Sequence, residues 1–356
     1  MPRMKAVQIH RFGAEEVMQL DEVEIPSPEA RQMVIKIAAT SINHSDLFIR
    51  QNGNIHIGAQ DLPLILGREL AGTVVEACPN VTEFAPGQRV VALPAVQTRA
   101  TGLPGSKEYT GCYAEYSLAR PQDTRPLPDG IDWMTGAATP WAALTAWYVL
   151  AAAQVKAGDR VFIQAGGSGI GTFAVQFARI LGAQVFATAG SDEKCARVGE
   201  LGADDAINYR QKDFASEVLR LTEGRGVDAV VETVGGEALA KSLRVLAPGG
   251  RLIALGSLSG GSRDLPTALP EGRKASRFSI TAFLMEETRA IAQLDKIFAW
   301  VQSGQVRVVV DRAFPVAEVA AAHRYIANRQ KFREGCAYSL SRRALCVPKT
   351  SSVLIR

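Results

Sequence analysis

The run VFIQAGGSGIGTFAVQFARILGAQVFATAGSDEK, residues 161–194, constrains the fold of this chain more than any other stretch. Residues 161–164 suit a buried strand, and Gly166, Gly167, Gly169 and Gly171 then permit a backbone turn too close to a ligand for side chains. A helix opening near Gly169, with Ser168 and Ile170 in the same turn, directs its free N–H groups at an anion such as a pyrophosphate. As a Gly-x-Gly-x-x-Gly motif the turn is imperfect, because Ser168 separates Gly167 from Gly169, and the motif alone is weakly specific. Its setting is more specific: strand, glycine turn, helix and second strand open a dinucleotide-binding unit.

The end of the second strand bears on which dinucleotide is held. A NAD site usually carries an acidic side chain about 20 residues beyond the glycines, where it accepts the ribose hydroxyls. Here residues 185–188 run into Ala189, Gly190 and Ser191, followed by Lys194, while Tyr209 closes a third strand-like segment. A hydroxyl, an ammonium and a phenol suit a 2′-phosphate, with its roughly two negative charges and several acceptor oxygens. NADPH is therefore the expected cofactor. NADH remains the alternative, since Asp192 and Glu193 lie close by and are either ribose acceptors or helix caps.

A chain of 356 residues has room for two domains with substantial cores, and 47% apolar against 21% charged residues is an ordinary globular balance. The net charge of +4 has no basic tract behind it, which argues against a nucleic-acid partner. The apolar stretch 136–153 contains Pro140 and is too short for a comfortable span, so it reads as a buried helix and no membrane partner is expected. Five scattered cysteines and the absence of an apolar secretory segment at MPRMKAVQIH point to reduced thiols and a cytoplasmic location.

Up to about residue 125, short strand-like segments separated by PSPE and APGQ turns predict a mostly antiparallel domain. From Trp133 the pattern changes to alternating strands and helices, with expected strands at 161–164, 185–188, 206–209, 229–232, 251–255 and 277–283. Such alternation predicts a doubly wound parallel sheet with ligands at the carboxyl ends of its strands. Residues 286–303 have helical spacing, 306–310 are strand-like, and VAEVAAAHRYIANRQ is helical. The expected organisation is a substrate or catalytic domain at 1–127, a cofactor domain at 128–285, and a return to the first domain at 286–356.

The segments PSPEARQMVIKIAATSINHSD, PLILGRELAGTVVEACPNVTEFAPGQRV, GCYAEYSLAR, AATPWAALTAWYVL, LGADDAINYR, VDAVVETVGG, LAPGGRLIALG and VVVDRAFPVAEVAAAHRYI, taken with the glycine turn, resemble the medium-chain dehydrogenase/reductase superfamily. The resemblance is to its zinc-free quinone oxidoreductase branch, which includes zeta-crystallin, and runs over nearly the whole chain. It implies an α/β protein with a GroES-like antiparallel domain and a Rossmann domain. In zinc-containing relatives the three catalytic ligand positions carry other residues; here they fall at Asn43, Arg68 and Trp141, and the structural zinc lobe retains only Cys112. No metal is expected from such a donor set.

The resemblance further implies a metal-independent oxidoreductase that passes a hydride from NADPH to a quinone or an α,β-unsaturated carbonyl, a small electrophilic acceptor. It places Asn43 beside the nicotinamide, and Thr145, Gly256 and Ser257 at the same end of the cofactor; each also has a plain reading as a turn or helix residue. His44 is a candidate proton relay, equally readable as an exposed spacer. Asp46, Arg68 and Glu69 read as an ion pair and a buried structural partner. Phe48 stands where several relatives carry a tyrosine, which leaves the proton donor unassigned. The branch also implies a homodimer joined near residues 277–283. An enoyl-thioester reductase and a cofactor-binding protein with little turnover are the competing readings.

Overall fold

The computed structural model describes residues 2–29, 31–54, 57–94, 111–256, 258, 261–262, 264–286, 290–328, 336–338 and 353–355. The chain divides into two compact units, Met1–Trp141 with Leu284–Arg356, and Ala142–Phe283.

The first unit opens with β1 (Arg3–Ile9), β2 (Met18–Glu24), β3 (Met33–Ile42), α1 (His44–Asn52), β4 (Leu64–Ile65), β5 (Leu70–Ala77), β6 (Arg89–Ala92), β7 (Tyr116–Ala119), β8 (Thr124–Pro126) and α2 (Trp133–Ala137). β1 pairs antiparallel with β2 in unbroken register, from Arg3 opposite Glu24 to Ile9 opposite Met18, and with β4 on its other edge. The longest strand, β3, is buried along nearly its whole length and pairs antiparallel with β5 and β7. Ile9, Ile49, Leu64 and Tyr113 pack into one core, and Met33, Ile35, Leu70 and Val90 into another. Burial of this kind contributes about 25 cal/mol per Å² of apolar surface.

The second unit carries α3 (Pro140–Ala152, from its third residue), β9 (Arg160–Ile163), α4 (Gly169–Ile180), β10 (Gln184–Ala189), α5 (Asp192–Glu200), β11 (Asp205–Asn208), α6 (Phe214–Leu221), β12 (Val227–Glu232), α7 (Gly236–Arg244), β13 (Leu246–Ala254) and β14 (Lys274–Arg277). Its six strands are parallel in the order β11-β10-β9-β12-β13-β14. Strands covered on both faces must be apolar throughout, which is why VFI of β9 and VFATA of β10 are wholly buried. The chain reverses its direction of winding between β9 and β12, and in such sheets ligands bind beyond the strand ends at that switch.

After α8 (Ile280–Glu286), the first unit resumes with α9 (Gln293–Gln302), β15 (Arg312–Ala313), α10 (Val319–Ala327), β16 (Cys336–Tyr338) and β17 (Val353–Ile355), the last two pairing antiparallel with β3.

Two expected strands differ. The last strand of the parallel sheet ends at Arg277, where 277–283 was expected to be extended. Phe278 N–H still bonds Ala254 O, but Ser279 Oγ then accepts from Ala282 N–H at 3.3 Å and turns the chain into α8. Phe278 and Phe283 pack on each other there, and Phe283 also packs on Tyr148. Residues 306–310 form no strand either: Val306 N–H bonds Trp300 O at the end of α9, and the ladder begins only at Arg312. No helix among the described residues is long and apolar enough to cross a membrane.

Candidate active site

In the second unit the glycine turn is held by a short polar ladder. Ala165 N–H donates to Thr188 Oγ1 and Gly166 N–H to Thr188 O, while Thr188 Oγ1 donates to Gln164 Oε1 at 2.7 Å. Ser168 caps α4, its Oγ accepting from Gly171 N–H at 2.9 Å. The N–H groups of Gly169 and Ile170 at the helix start have no acceptor among the described residues. A Cβ at Gly171 would lie 2.2 Å from Ala165 O, and one at Gly166 would lie 2.8 Å from Ala187 Cβ, so neither position admits a side chain. At Gly169 the nearest atom to a Cβ is 3.8 Å away, leaving the face above the helix start open. An open helix N-terminus with orphan donors has the donors a phosphate needs, and the residues fit a dinucleotide.

The end of β10 settles how the acidic residues are used. Asp192 accepts from Asn208 Nδ2 at 2.8 Å and from Gln211 Nε2 at 3.2 Å, and these bonds hold its carboxyl below the usual range. Glu193 pairs with Arg197 at 2.7 Å. Both carboxylates are thus engaged with their own helix or the neighbouring strand. Ser191 caps α5, accepting from Lys194 N–H, and keeps a hydroxyl proton to donate. Tyr209 is 52% exposed, and a Cβ on Gly190 would come within 2.9 Å of its hydroxyl oxygen. Ser191, Gly190, Lys194 and Tyr209 therefore share one strand-end corner.

Glu232 at the end of β12, which sequence reasoning passed over, organises the next strand-end loop. Its carboxylate accepts from Val234 N–H, Gly235 N–H and Ser242 Oγ, and Ser242 accepts in turn from Gln164 Nε2. Burial raises the Glu232 carboxyl, against the lowering effect of those bonds. Gly256 lies just beyond β13, with 3.8 Å between its would-be Cβ and Thr233 O. Ser257 lies outside the described residues. Thr145 is buried on α3.

In the first unit a second polar group surrounds the start of α1. Asn43 is the residue before the helix, and its backbone N–H donates to Asp46 Oδ2 at 2.8 Å, so the turn is closed by Asp46. That frees the amide: Asn43 Nδ2 donates to Glu69 Oε1 at 2.9 Å and Ser41 Oγ at 3.3 Å, while Oδ1 takes no hydrogen bond among the described residues. Glu69 also accepts from Ser41 Oγ and, through Oε2, from Trp141 N–H at 2.7 Å. Burial pushes the Glu69 carboxyl up to about 7 despite these donors. His44 occupies the first position of α1.

Asp46 heads a chain of buried polar groups. Arg50 can only donate, so His323 accepts at Nδ1 from Arg50 Nη1 at 3.1 Å, and burial together with the Arg50 charge keeps this imidazole neutral. The proton then sits on Nε2 and is given to Tyr113 Oη at 3.1 Å, and Tyr113 donates onward to Asp46 Oδ2 at 3.2 Å. Burial raises the Asp46 carboxyl to about 6, with the Arg68 charge opposing. Arg68 follows Gly67, whose φ of +100° and close approach to Tyr113 and Cys112 exclude a side chain. Its Nε is 3.6 Å from Asp46 Oδ1, and its guanidinium lies 4.9 Å from the centre of the Trp141 ring.

The residues at the zinc-ligand positions do not fit that metal: they present an amide, a guanidinium and an indole, where zinc takes thiolate, imidazole or carboxylate. Among the described residues no group of three or more His, Cys, Asp or Glu side chains is placed to hold a metal ion.

A switch-point sheet with a glycine cradle, carried in one chain with a GroES-like sheet, defines a two-domain dinucleotide-linked oxidoreductase. Residues 29–129 match the family described as alcohol dehydrogenase GroES-like domain, and residues 201–332 the one described as zinc-binding dehydrogenase. The chain is 31% identical to the 2-haloacrylate reductase of Burkholderia sp, over 91% of this chain and 96% of that protein. It is 28% identical to the Homo sapiens quinone oxidoreductase, over 91% and 94%. The crystal structure of the Pseudomonas syringae pv. tomato DC3000 quinone oxidoreductase superposes with a TM-score of 0.84 at 26% identity, covering 99% of this chain and 100% of that one. The chain belongs to the medium-chain dehydrogenase/reductase superfamily and closely resembles its zinc-independent quinone oxidoreductase members.

Proposed function

We propose that the chain is an NADPH-dependent reductase that delivers a hydride, without metal, to a quinone or an α,β-unsaturated carbonyl. The observation that carries the cofactor choice is the engagement of Asp192 by Asn208 and Gln211, which leaves the β10 corner to a hydroxyl, an ammonium and a phenol. NADPH, when bound, supplies the hydride. Gly166, Ser168, Gly169, Ile170 and Gly171 hold its pyrophosphate through backbone N–H groups. Ser191, Lys194 and Tyr209 hold the 2′-phosphate. Thr145, Gly256, Ser257 and Asn43 orient the nicotinamide end, Asn43 through Oδ1, since its Nδ2 is taken by Glu69. His44 stands by as a proton relay at the head of α1.

The acceptor class is supported by the relatives, one a quinone oxidoreductase and one a 2-haloacrylate reductase. Such electron-poor acceptors need positioning and hydrogen bonds more than a Lewis acid. The protein works as a cytoplasmic homodimer in this reading, and light scattering on the purified protein returning only monomer would refute the dimer.

The test is turnover with NADPH and with NADH against 9,10-phenanthrenequinone, 1,4-benzoquinone, an enone and crotonyl-CoA, followed by Lys194→Ala. Loss of a charge-assisted bond predicts NADPH affinity falling by about tenfold or more while NADH affinity holds. Equal losses for both cofactors would remove the 2′-phosphate role. Tight NADPH binding with no turnover would favour a binding protein.

A further inference from the structure

Arg68 is buried to 8% exposure, yet its guanidinium makes no hydrogen bond among the described residues. Among the described residues its one ionic neighbour is Asp46 Oδ1, which at 3.6 Å from Nε lies outside hydrogen-bonding distance and itself lacks a donor. The other oxygen of that carboxylate is taken by Asn43 N–H and Tyr113 Oη. Arg68 Nε, shut from solvent without a partner, is costly to bury for architecture alone, because its desolvation is not repaid by a bond. The Trp141 ring, whose own backbone N–H is anchored on Glu69, fixes the guanidinium from one side. Arg68 and Asn43 stand on opposite oxygens of one Asp46 carboxylate, so the cation is held next to the residue read above as facing the nicotinamide.

We propose that Arg68 is a catalytic residue whose guanidinium binds the acceptor's carbonyl oxygen and stabilises the negative charge that gathers there. The inference rests on the reductase reading of the preceding section. When the β-carbon of an enone takes up the hydride, the C=C electron pair shifts toward the carbonyl and its oxygen becomes an enolate oxyanion. Solvent then protonates the α-carbon and restores the carbonyl, while the nicotinamide is left oxidised. With a quinone the same charge appears as a quinolate oxygen and is protonated there. Arg68 supplies a fixed cation at the oxygen, the part played by an oxyanion hole in acyl transfer.

The experiment compares wild type with Arg68→Gln, Arg68→Lys and Arg68→Ala, using NADPH and acceptors graded from 1,4-benzoquinone to 2-cyclohexenone. Removing an oxyanion donor costs about 10²-fold in kcat, so Arg68→Gln is expected to lose that much with the weakly electrophilic enone and far less with benzoquinone. Arg68→Lys falls between, and millimolar guanidinium ion restores part of the Arg68→Ala rate. An equilibrium probe accompanies these rates: p-nitrophenol bound to NADP⁺-loaded protein ionises at lower pH on wild type than on Arg68→Gln, read from its phenolate absorbance. Equal losses across the acceptor series, no rescue, or an unchanged p-nitrophenol titration would make Arg68 architectural and overturn the proposal. Active wild type with Arg68→Gln within about threefold on the enone overturns it as well. Wild type that binds NADPH and reduces none of the acceptors overturns the reductase reading, and this inference with it.

Discussion

Replacing Glu69 by glutamine changes how the stability of the first unit depends on pH. The carboxyl is fully enclosed, accepts from Ser41, Asn43 and Trp141, and is pushed by burial from an ordinary 4.5 to about 7. Its folded-state value lies above its unfolded value, so the native state holds the proton more tightly. The stabilisation is complete below about pH 4.5 and is lost as pH rises through 7. Linkage over that interval gives about 0.8 kcal/mol already lost at pH 5 and about 3.3 kcal/mol at pH 8, a difference of about 2.5 kcal/mol. Glutamine cannot titrate and removes this slope. It also loses at least one hydrogen bond, since its amide nitrogen cannot accept, a cost of about 1 kcal/mol that is the same at every pH. Asp123, raised to about 6 by burial, titrates in either protein and cancels in the comparison, whereas the Asp46 charge is a lesser cause of the raised Glu69 carboxyl and belongs to the slope that glutamine removes. Urea unfolding at pH 5 and pH 8 should therefore show wild type losing about 2.5 kcal/mol more than Glu69→Gln across the interval. Parallel losses in the two proteins would mean that Glu69 is ionised throughout, and the description of it as a buried, proton-holding partner of Asn43 would fail.

Gly171→Ala sets a Cβ against Ala165 O and should abolish NADPH binding while far-UV circular dichroism holds, as titration of cofactor fluorescence would report. At Gly190 an alanine Cβ meets the Tyr209 hydroxyl, so Gly190→Ala should weaken NADPH more than NADH in the same titration. Tyr113→Phe strands the Nε2 proton of His323 and one bond to Asp46, which predicts a loss of about 1–3 kcal/mol in urea unfolding with NADPH affinity unchanged.

The parallel sheet and its glycine turn were legible because local chemistry specifies them: the glycines, the Ser168 cap and the unbroken apolar strands all lie within one short stretch of sequence. The strand ending at Arg277 was misjudged because the stop is a single hydroxyl, that of Ser279, amid residues with strong strand propensity. Asp192 and Glu193 looked ambiguous for a related reason. Their use depends on Asn208, Gln211 and Arg197, and only folding brings the first two alongside. Asn43 was read as a nicotinamide neighbour, and Asp46, Arg68 and Glu69 separately as an ion pair and a buried structural partner, yet the amide's release from its own turn and the idle guanidinium follow from distances that no spacing rule contains. Tyr113, His323 and Glu232 carried no local signal at all.

The relay from Arg50 through His323 to Tyr113 and Asp46 joins residues 273 and 210 positions apart. During synthesis the second unit, Ala142–Phe283, leaves the ribosome whole before α10 exists. At ordinary elongation rates, the roughly 180 residues between Trp141 and His323 take about 10–40 s to make. Throughout that interval Asp46, Arg50 and Tyr113 lack the imidazole that completes the relay, and the first unit waits with an unfinished polar core while the second is free to fold. The amino-terminal unit can thus complete this polar core only after the whole of the second unit has been made.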